Sequence, residues 1–424
     1  MNLHIANGLL VDPVAGTERK ADLFIVGETI ASVGAAPPDF TAERTIDANG
    51  LVVAPGLVDL SARLREPGFE YRATLESEMA AAVAGGITRL ACPPDTEPPL
   101  DEPGLVEMLK RRAASLRLAR VHPIGALTQG LRGERLTEMA ELTEAGCIAF
   151  SQDDRPFADL TILWRALQYA TTYGFPVWLR PEDPGLARGG VAHDGEVATR
   201  LGLPGIPSVA ETISLAAILL LVRETGARVH LSRLSTAEGV DMVRKARAEG
   251  LAVTCDVSAH HIHLSEMDIG FFDAHCRLSP PLRSLRDREA LVRGLADGTI
   301  DAICSDHTPV DEDGKELPFS EAEPGATGLE LLLPLALKWG AEAKLPLAQT
   351  LARVTAQPAR VLQAAEPTLA AGATADLCIF DRDAWWKVDA ASLKSQGKNT
   401  PFTGYELQGR VHTTLVGGRI VFEP

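Results

Sequence analysis

A chain of 424 residues, 46% apolar and 23% charged, has the material for a large core and is neither disordered nor built to span a membrane. Its formal charge of -16 argues against a nucleic-acid-binding surface. Six cysteines (Cys92, Cys147, Cys255, Cys276, Cys304 and Cys378) without a CxxC pair are expected to be reduced core residues of a cytoplasmic protein.

In chain order, residues 1–55 carry short strand-like runs at 3–6, 22–26, 29–33 and 51–53, with turns at Val26-Gly27 and Asn49-Gly50. The opening stretch contains His4 and Asn7, lacks a cationic leader, and reads as a strand rather than a signal peptide or anchor. From Gly56 onward, apolar strand candidates fall at 57–64, 87–92, 120–126, 147–151, 175–180, 228–233, 251–257 and 301–305. Their richness in Val, Ile, Leu, Ala and Cys suits parallel strands buried on both faces. Amphipathic helices are expected between them, among them 75–84, 102–115, 160–172, 209–225 and 285–295. Eight strand-helix repeats predict a (β/α)8 barrel, which takes about 250 residues, over 56–366. Residues 367–424 return to strand-like runs at 375–380, 412–416 and 419–422, with a turn at Gly417-Gly418. The two ends, 1–55 and 367–424, are expected to pair into one small β-sandwich beside the barrel.

The first barrel strand runs into Asp59-Leu60-Ser61-Ala62-Arg63-Leu64-Arg65-Glu66-Pro67-Gly68. Further on come Ala84-Gly85-Gly86-Ile87-Thr88, Gly202-Leu203-Pro204-Gly205-Ile206-Pro207, Pro280-Pro281-Leu282-Arg283, and Asp306-His307 with Pro309. This ordered set resembles the dihydroorotases, amidohydrolases that cyclise carbamoyl aspartate in pyrimidine synthesis, over nearly the whole chain. The resemblance implies an amidohydrolase-type α/β TIM barrel, zinc-binding histidines at its strand ends, and an aspartate as general base.

Against that pattern the metal positions are degenerate. The two histidines after strand 1 are replaced by Ser61 and Arg63, the one after strand 5 by Arg180, and the one after strand 6 by Arg233. A hydroxyl is a poor zinc ligand at neutral pH, and guanidinium has no lone pair to give. Asp153 matches an acidic metal-bridging position, and Asp306 matches the general base, now a relic. Two carboxylates among three arginines are not expected to hold a divalent ion, so zinc is expected to be absent. The arginines are expected to pair with Asp153 and Asp306 instead.

Substrate positions are altered as well. Of the family's carboxylate clamp Arg65 remains, but Asp95 and Ser279 stand in place of asparagines. A carboxylate at Asp95 is expected to repel an anionic substrate or to pair with Arg65. His307 is read as a relic of substrate binding. His260-His261-Ile262-His263 holds an HxH spacing but is read as structural, His230 as a core residue, and Glu182 and Asp183 as loop-capping groups. Trp385-Trp386 is read as core packing, with an exposed pair offering an anchor for a partner. The 308–326 loop, with Asp311-Glu312-Asp313-Gly314, is expected to be mobile.

The resemblance therefore implies an inactive dihydroorotase-like subunit, a pseudoenzyme that assembles with the catalytic chain of aspartate transcarbamoylase in homo- and hetero-oligomers. One alternative is an active cyclic amidohydrolase with a single metal on Asp153, Asp306 and His260 or His307. Another is a sensing module whose Arg65 and mouth arginines bind an anion or nucleotide.

Overall fold

The computed structural model describes residues 1–424. All eight expected barrel strands are present and parallel, in sequence order around the sheet: Leu57–Asp59, Ile87–Cys92, Arg120–Ala126, Ala149–Ser151, Val177–Leu179, Val229–Leu231, Val253–Ser258 and Ala302–Cys304. The first and last strands close the ring through a parallel bridge between Ala62 and His307. There the Arg63 N–H donates to the His307 carbonyl at 2.9 Å, and the His307 N–H to the Ser61 carbonyl at 3.0 Å. Several strands are shorter than the apolar runs that encode them. After Asp59 the chain keeps that bridge on one side and an Ala62 N–H bond to the Ala91 carbonyl at 3.1 Å on the other.

Helices cover the outside of the ring. Leu75–Ala84 begins at a capping box in which Thr74 and Ser77 satisfy each other's backbone N–H groups. Leu285–Asp297 uses Ser284 and Asp287 in the same way. Leu160–Tyr173, Ser208–Thr225 and Pro103–Leu116 also lie within a residue or so of the expected limits. The barrel floor is apolar: Val58, Ala91, Ile124, Ala149, Trp178 and Ala302 form one buried cluster. Ala359, Val361 and Leu362 complete that cluster from around the helix Ala356–Val361. The polar mouth therefore sits on a packed interior rather than a pore.

Both ends of the chain build one eight-stranded sheet in which Val52–Pro55 pairs antiparallel with the start of Leu377–Lys387. The long first strand, Asn2–Asp12, lies beside Thr17–Val26 on one edge and beside Arg44–Asp47 and then Val52–Pro55 on the other. This lets the sheet fold around its own apolar cluster, which includes Leu3, Ile25, Val53, Leu377 and Leu415. The Gly417-Gly418 turn touches the Gly27 turn so closely that a Cβ on Gly418 would collide with the Gly27 carbonyl, and both of its residues have positive φ. All six cysteines are buried and unpaired. No helix is long and apolar enough to cross a membrane.

Candidate functional site

Loops leaving strands 1, 2, 4, 5, 6 and 8 carry charged side chains to the C-terminal mouth of the barrel. Four residues there, Arg65, Asp153, Arg233 and Asp306, have φ between 47° and 61°. Such left-handed backbone in non-glycine residues is costly and gathers at functional sites. At Asp153, Arg233 and Asp306 it aims side chains from strands 4, 6 and 8 at one point.

That point is an ion-pair cluster. Arg63 is buried and reaches Asp95 through Nε at 2.7 Å and Asp153 through Nη2 at 2.7 Å. It also reaches Asp154 at 3.0 Å, Asp306 at 3.5 Å and the Thr308 hydroxyl at 3.0 Å. Arg233 meets Asp306 at 3.0 Å, Asp153 at 3.2 Å and Asp154 at 2.7 Å. Arg180 behaves differently from the expectation for it. It grips Glu182 with two parallel bonds of 2.8 Å and touches Asp154 at 2.5 Å, a charge contact without hydrogen-bond alignment, and it reaches neither Asp153 nor Asp306. Glu182 is therefore part of the cluster rather than a loop cap. Asp183 does cap, accepting the Leu186 N–H at 2.8 Å.

Charge balance explains the protonation pattern. Burial pulls the Asp154 carboxyl upward, but Arg233, Arg180 and Arg63 outweigh it and hold the group well below its usual range. Asp95 is likewise lowered, burial being outweighed by Arg63 and Arg65. Asp153 is pushed up to about 6, chiefly by burial, against the pull of Arg63. Asp306 is also raised by burial, opposed by Arg233 and Arg63. The surplus of acids over arginines is thus met by the two deepest carboxyls holding protons more tightly.

The substrate positions fare as follows. Arg65 donates Nε to the Pro309 carbonyl at 2.9 Å, and burial lowers its guanidinium to about 10. Asp95 pairs with Arg63, which leaves the neighbouring strand 1, and makes no ion pair with Arg65. At Ser279 the backbone carbonyl faces Arg233 Nη1 at 3.5 Å. His307 is turned away from the mouth. Its Nδ1 accepts the Gly328 N–H at 3.1 Å, so Nε2 carries the proton and donates to Glu78 at 2.6 Å. The imidazole is fully occupied in joining strand 8 to the helix Leu75–Ala84.

A zinc ion does not fit these residues. The line from Asp153 to Asp306 is spanned by two guanidinium groups, and no three His, Cys, Asp or Glu side chains converge as metal ligands. Ser61 is buried beside Asp59 with no imidazole near enough to complete a set. His260 stacks at 5.8 Å on Phe402, and burial holds its ring near 3. His261 bonds to the Pro280 and Pro281 carbonyls, and His263 to the Leu335 carbonyl at 2.8 Å. His230 is satisfied by Thr254 and Asp256, both at 2.9 Å. The arrangement pairs the mouth arginines with acids and ties the ends of strands 1, 2, 4, 5, 6 and 8 together.

Two features escaped sequence reasoning. Asp154 is the only acid that all three mouth arginines touch, and its signal was the doubled Asp153-Asp154 itself. Glu211 is buried and accepts four bonds from Ser235 and Thr236, fixing the loop after strand 6; nothing local marks it. Within the 308–326 loop, Lys315 Nζ donates to the carbonyls of Ala274, Arg277 and Glu323. Of the tryptophan pair, Trp386 packs on the core and bonds to the Gly409 carbonyl, while Trp385 is 63% exposed.

Comparison with known proteins places this geometry in context. The family model described as "Dihydro-orotase-like" matches residues 50–239, and the "Amidohydrolase family" model matches residues 188–421. A "Dihydroorotase-like protein" of Pseudomonas aeruginosa is 44% identical over 100% of both chains. A "Dihydroorotase" of Pelotomaculum thermopropionicum is also 44% identical, over 100% of this chain and 99% of its own. Among solved structures, an L-hydantoinase (dihydropyrimidinase) from Arthrobacter aurescens superposes with a TM-score of 0.88 at 26% identity, covering 99% of this chain and 96% of the other.

Proposed function

This chain belongs to the dihydroorotase-like family of amidohydrolases, and from that premise we propose that it is a member without hydrolytic chemistry, which serves as a non-catalytic assembly subunit for the catalytic chain of aspartate transcarbamoylase. Relatives called dihydroorotase and dihydroorotase-like stand equally near, so the decision rests on side chains. The observation that carries the reading is the pair of guanidinium groups, Arg63 and Arg233, lying between Asp153 and Asp306 where the family resemblance calls for zinc. A cation that is part of the chain cannot polarise a bound water as a metal does. The same cluster keeps the barrel folded without a metal, leaving its surface available for binding after its pocket chemistry has gone.

One surface suits a partner. The helix Ser208–Thr225 buries Leu215, Ile218, Leu219 and Val222 against the barrel, yet its outer face exposes Val209, Ile213 and Leu220. A helix apolar on both faces is usually covered on both. We assign the outer face to the transcarbamoylase chain. Replacing Ile213 and Leu220 together by aspartate is expected to abolish the mixed complex while leaving the thermal midpoint of the isolated chain within a few degrees.

The deciding experiment is to purify the chain alone and with the transcarbamoylase catalytic chain of its own organism. Mass by light scattering, metal content, and dihydroorotase turnover with added zinc or manganese are measured on the same samples. The expected result is a large mixed complex without stoichiometric zinc and without turnover. An active, metal-loaded protein would overturn the reading, and so would a chain that remains separate from the transcarbamoylase.

A further inference from the structure

At the foot of the barrel, opposite the arginine cluster, lies a cleft of about 430 Å3. It is walled by the end of the helix Pro103–Leu116, the loop into strand 3, and the Val416–Arg419 turn of the terminal sheet. Its charged lining consists of Lys110, Arg117, Arg120 and Arg419 against a single acid, Glu28. In a chain of net charge -16, four cations around one hollow are a local reversal of sign.

Two of these cations, Lys110 and Arg419, are held by backbone carbonyls rather than by acids. Arg419 Nη2 donates to the Arg117 carbonyl, and Arg117 itself sits in the left-handed region at φ 55°. Lys110 Nζ donates to the Ala145 carbonyl at 3.1 Å. Arg120 pairs with Asp376, but that carboxylate also answers Arg89 at 3.2 Å. One acid is therefore shared by two guanidinium groups, and Lys110, Arg117 and Arg419 have no ion pair. The positive field reaches His122 in strand 3, whose ring is held near 4 by burial and then by Arg89, Arg120 and Lys110. Leu118, Val121 and Val416 supply an apolar wall beside the charges.

We propose that this cleft binds a small polyphosphate anion, clamped between Arg117 and Arg419 with Lys110 as a third contact. Guanidinium forks suit phosphate oxygens, and the volume lies within the range of small-molecule sites. Because Arg117 belongs to the barrel and Arg419 to the terminal sheet, a bound anion would tie the two together.

The test is calorimetric titration and thermal denaturation of the full chain with inorganic pyrophosphate, tripolyphosphate and a nucleoside triphosphate, with sulfate at matched ionic strength as reference. The expected result is saturable one-site binding that raises the thermal midpoint and weakens at least tenfold in Arg117→Glu/Arg419→Glu. Charge reversal far from the cleft, Arg286→Glu, is expected to leave binding intact. Tighter binding of the nucleotide than of pyrophosphate would assign the apolar wall to a nucleoside, and equal binding would assign the site to phosphate alone. No saturable binding, binding equal to that of sulfate, or binding that survives the double reversal would overturn the proposal. If the double variant does not fold, Arg117→Gln replaces it with the same criterion.

Discussion

Arg63→Ala is expected to destabilise the protein by about 3–5 kcal/mol, the usual cost of removing one side of a buried ion-pair network. Arg63 holds four carboxylates at 2.7 to 3.5 Å and is itself almost fully buried. Without it, Asp153 and Asp306 face each other with only Arg233 between them, and Asp95 loses its sole ion-pair partner. Asp95 and Asp154 are partly open to water, which shields part of the loss and places the effect toward the lower end of that range. The measurement is urea denaturation, read as a lower midpoint at unchanged slope. Combining Arg63→Ala with Asp153→Asn should cost less than the sum of the two, because the second change removes a charge the first has stranded. A loss under about 1 kcal/mol, typical of exposed pairs, would mean that the cluster is not what holds the mouth together.

The barrel was legible because its signals are local and repeated. Each strand is a short, largely apolar run, as at Ile87–Cys92, and some helices carry their own start, as at Thr74 or Ser284. The partnership of the chain's two ends was legible only as leftover strand-like sequence; the pairing of Val52–Pro55 with Leu377–Phe380 spans the whole chain and has no local code. In the site, Ser61, Arg63, Arg180 and Arg233 could be found because a strong pattern is broken at defined positions. Which acid answers which arginine could not be read, because that depends on side-chain reach across the mouth. Asp95 lies beside Arg63 rather than Arg65, and Arg180 is drawn to Glu182 two residues away. A charge argument comes nearer. Three guanidinium groups buried in one mouth demand acids, and Asp95, Asp154 and Glu182 meet that demand. His307 misled for the opposite reason, since its neighbour Asp306 faces the mouth while its own ring lies behind the strand against Glu78.

The second large effect belongs to Asp59, which closes the ring between strands 1 and 8. Its carboxyl accepts the Ser305 N–H at 2.7 Å and faces the Ser305 hydroxyl at 2.5 Å, with the Ser61 carbonyl 3.2 Å from that hydroxyl. Burial pushes Asp59 up to about 7, against these hydrogen bonds. When protonated, Asp59 can donate to the serine hydroxyl, which then donates to the Ser61 carbonyl and leaves every group satisfied. An unfolded aspartate ionises near 3.9, so between about pH 4 and pH 7 the folded state binds the proton and the unfolded state does not. This group's contribution to stability is therefore full at acid pH, falls as pH rises through that window, and is lost above about 7. Asparagine mimics the protonated form, since its amide can donate to the same hydroxyl. Asp59→Asn is expected to be more stable than the parent at pH 8, by at most on the order of 4 kcal/mol, with the advantage shrinking toward pH 5. Taking the difference between the two proteins removes the opposite trend from Asp154, whose lowered carboxyl costs stability only as pH falls below its usual range. Denaturation midpoints of both proteins from pH 5 to 9 measure it. A difference that does not change with pH would place the Asp59 proton elsewhere, and a variant less stable at every pH would mean that the hydroxyl cannot accept the amide.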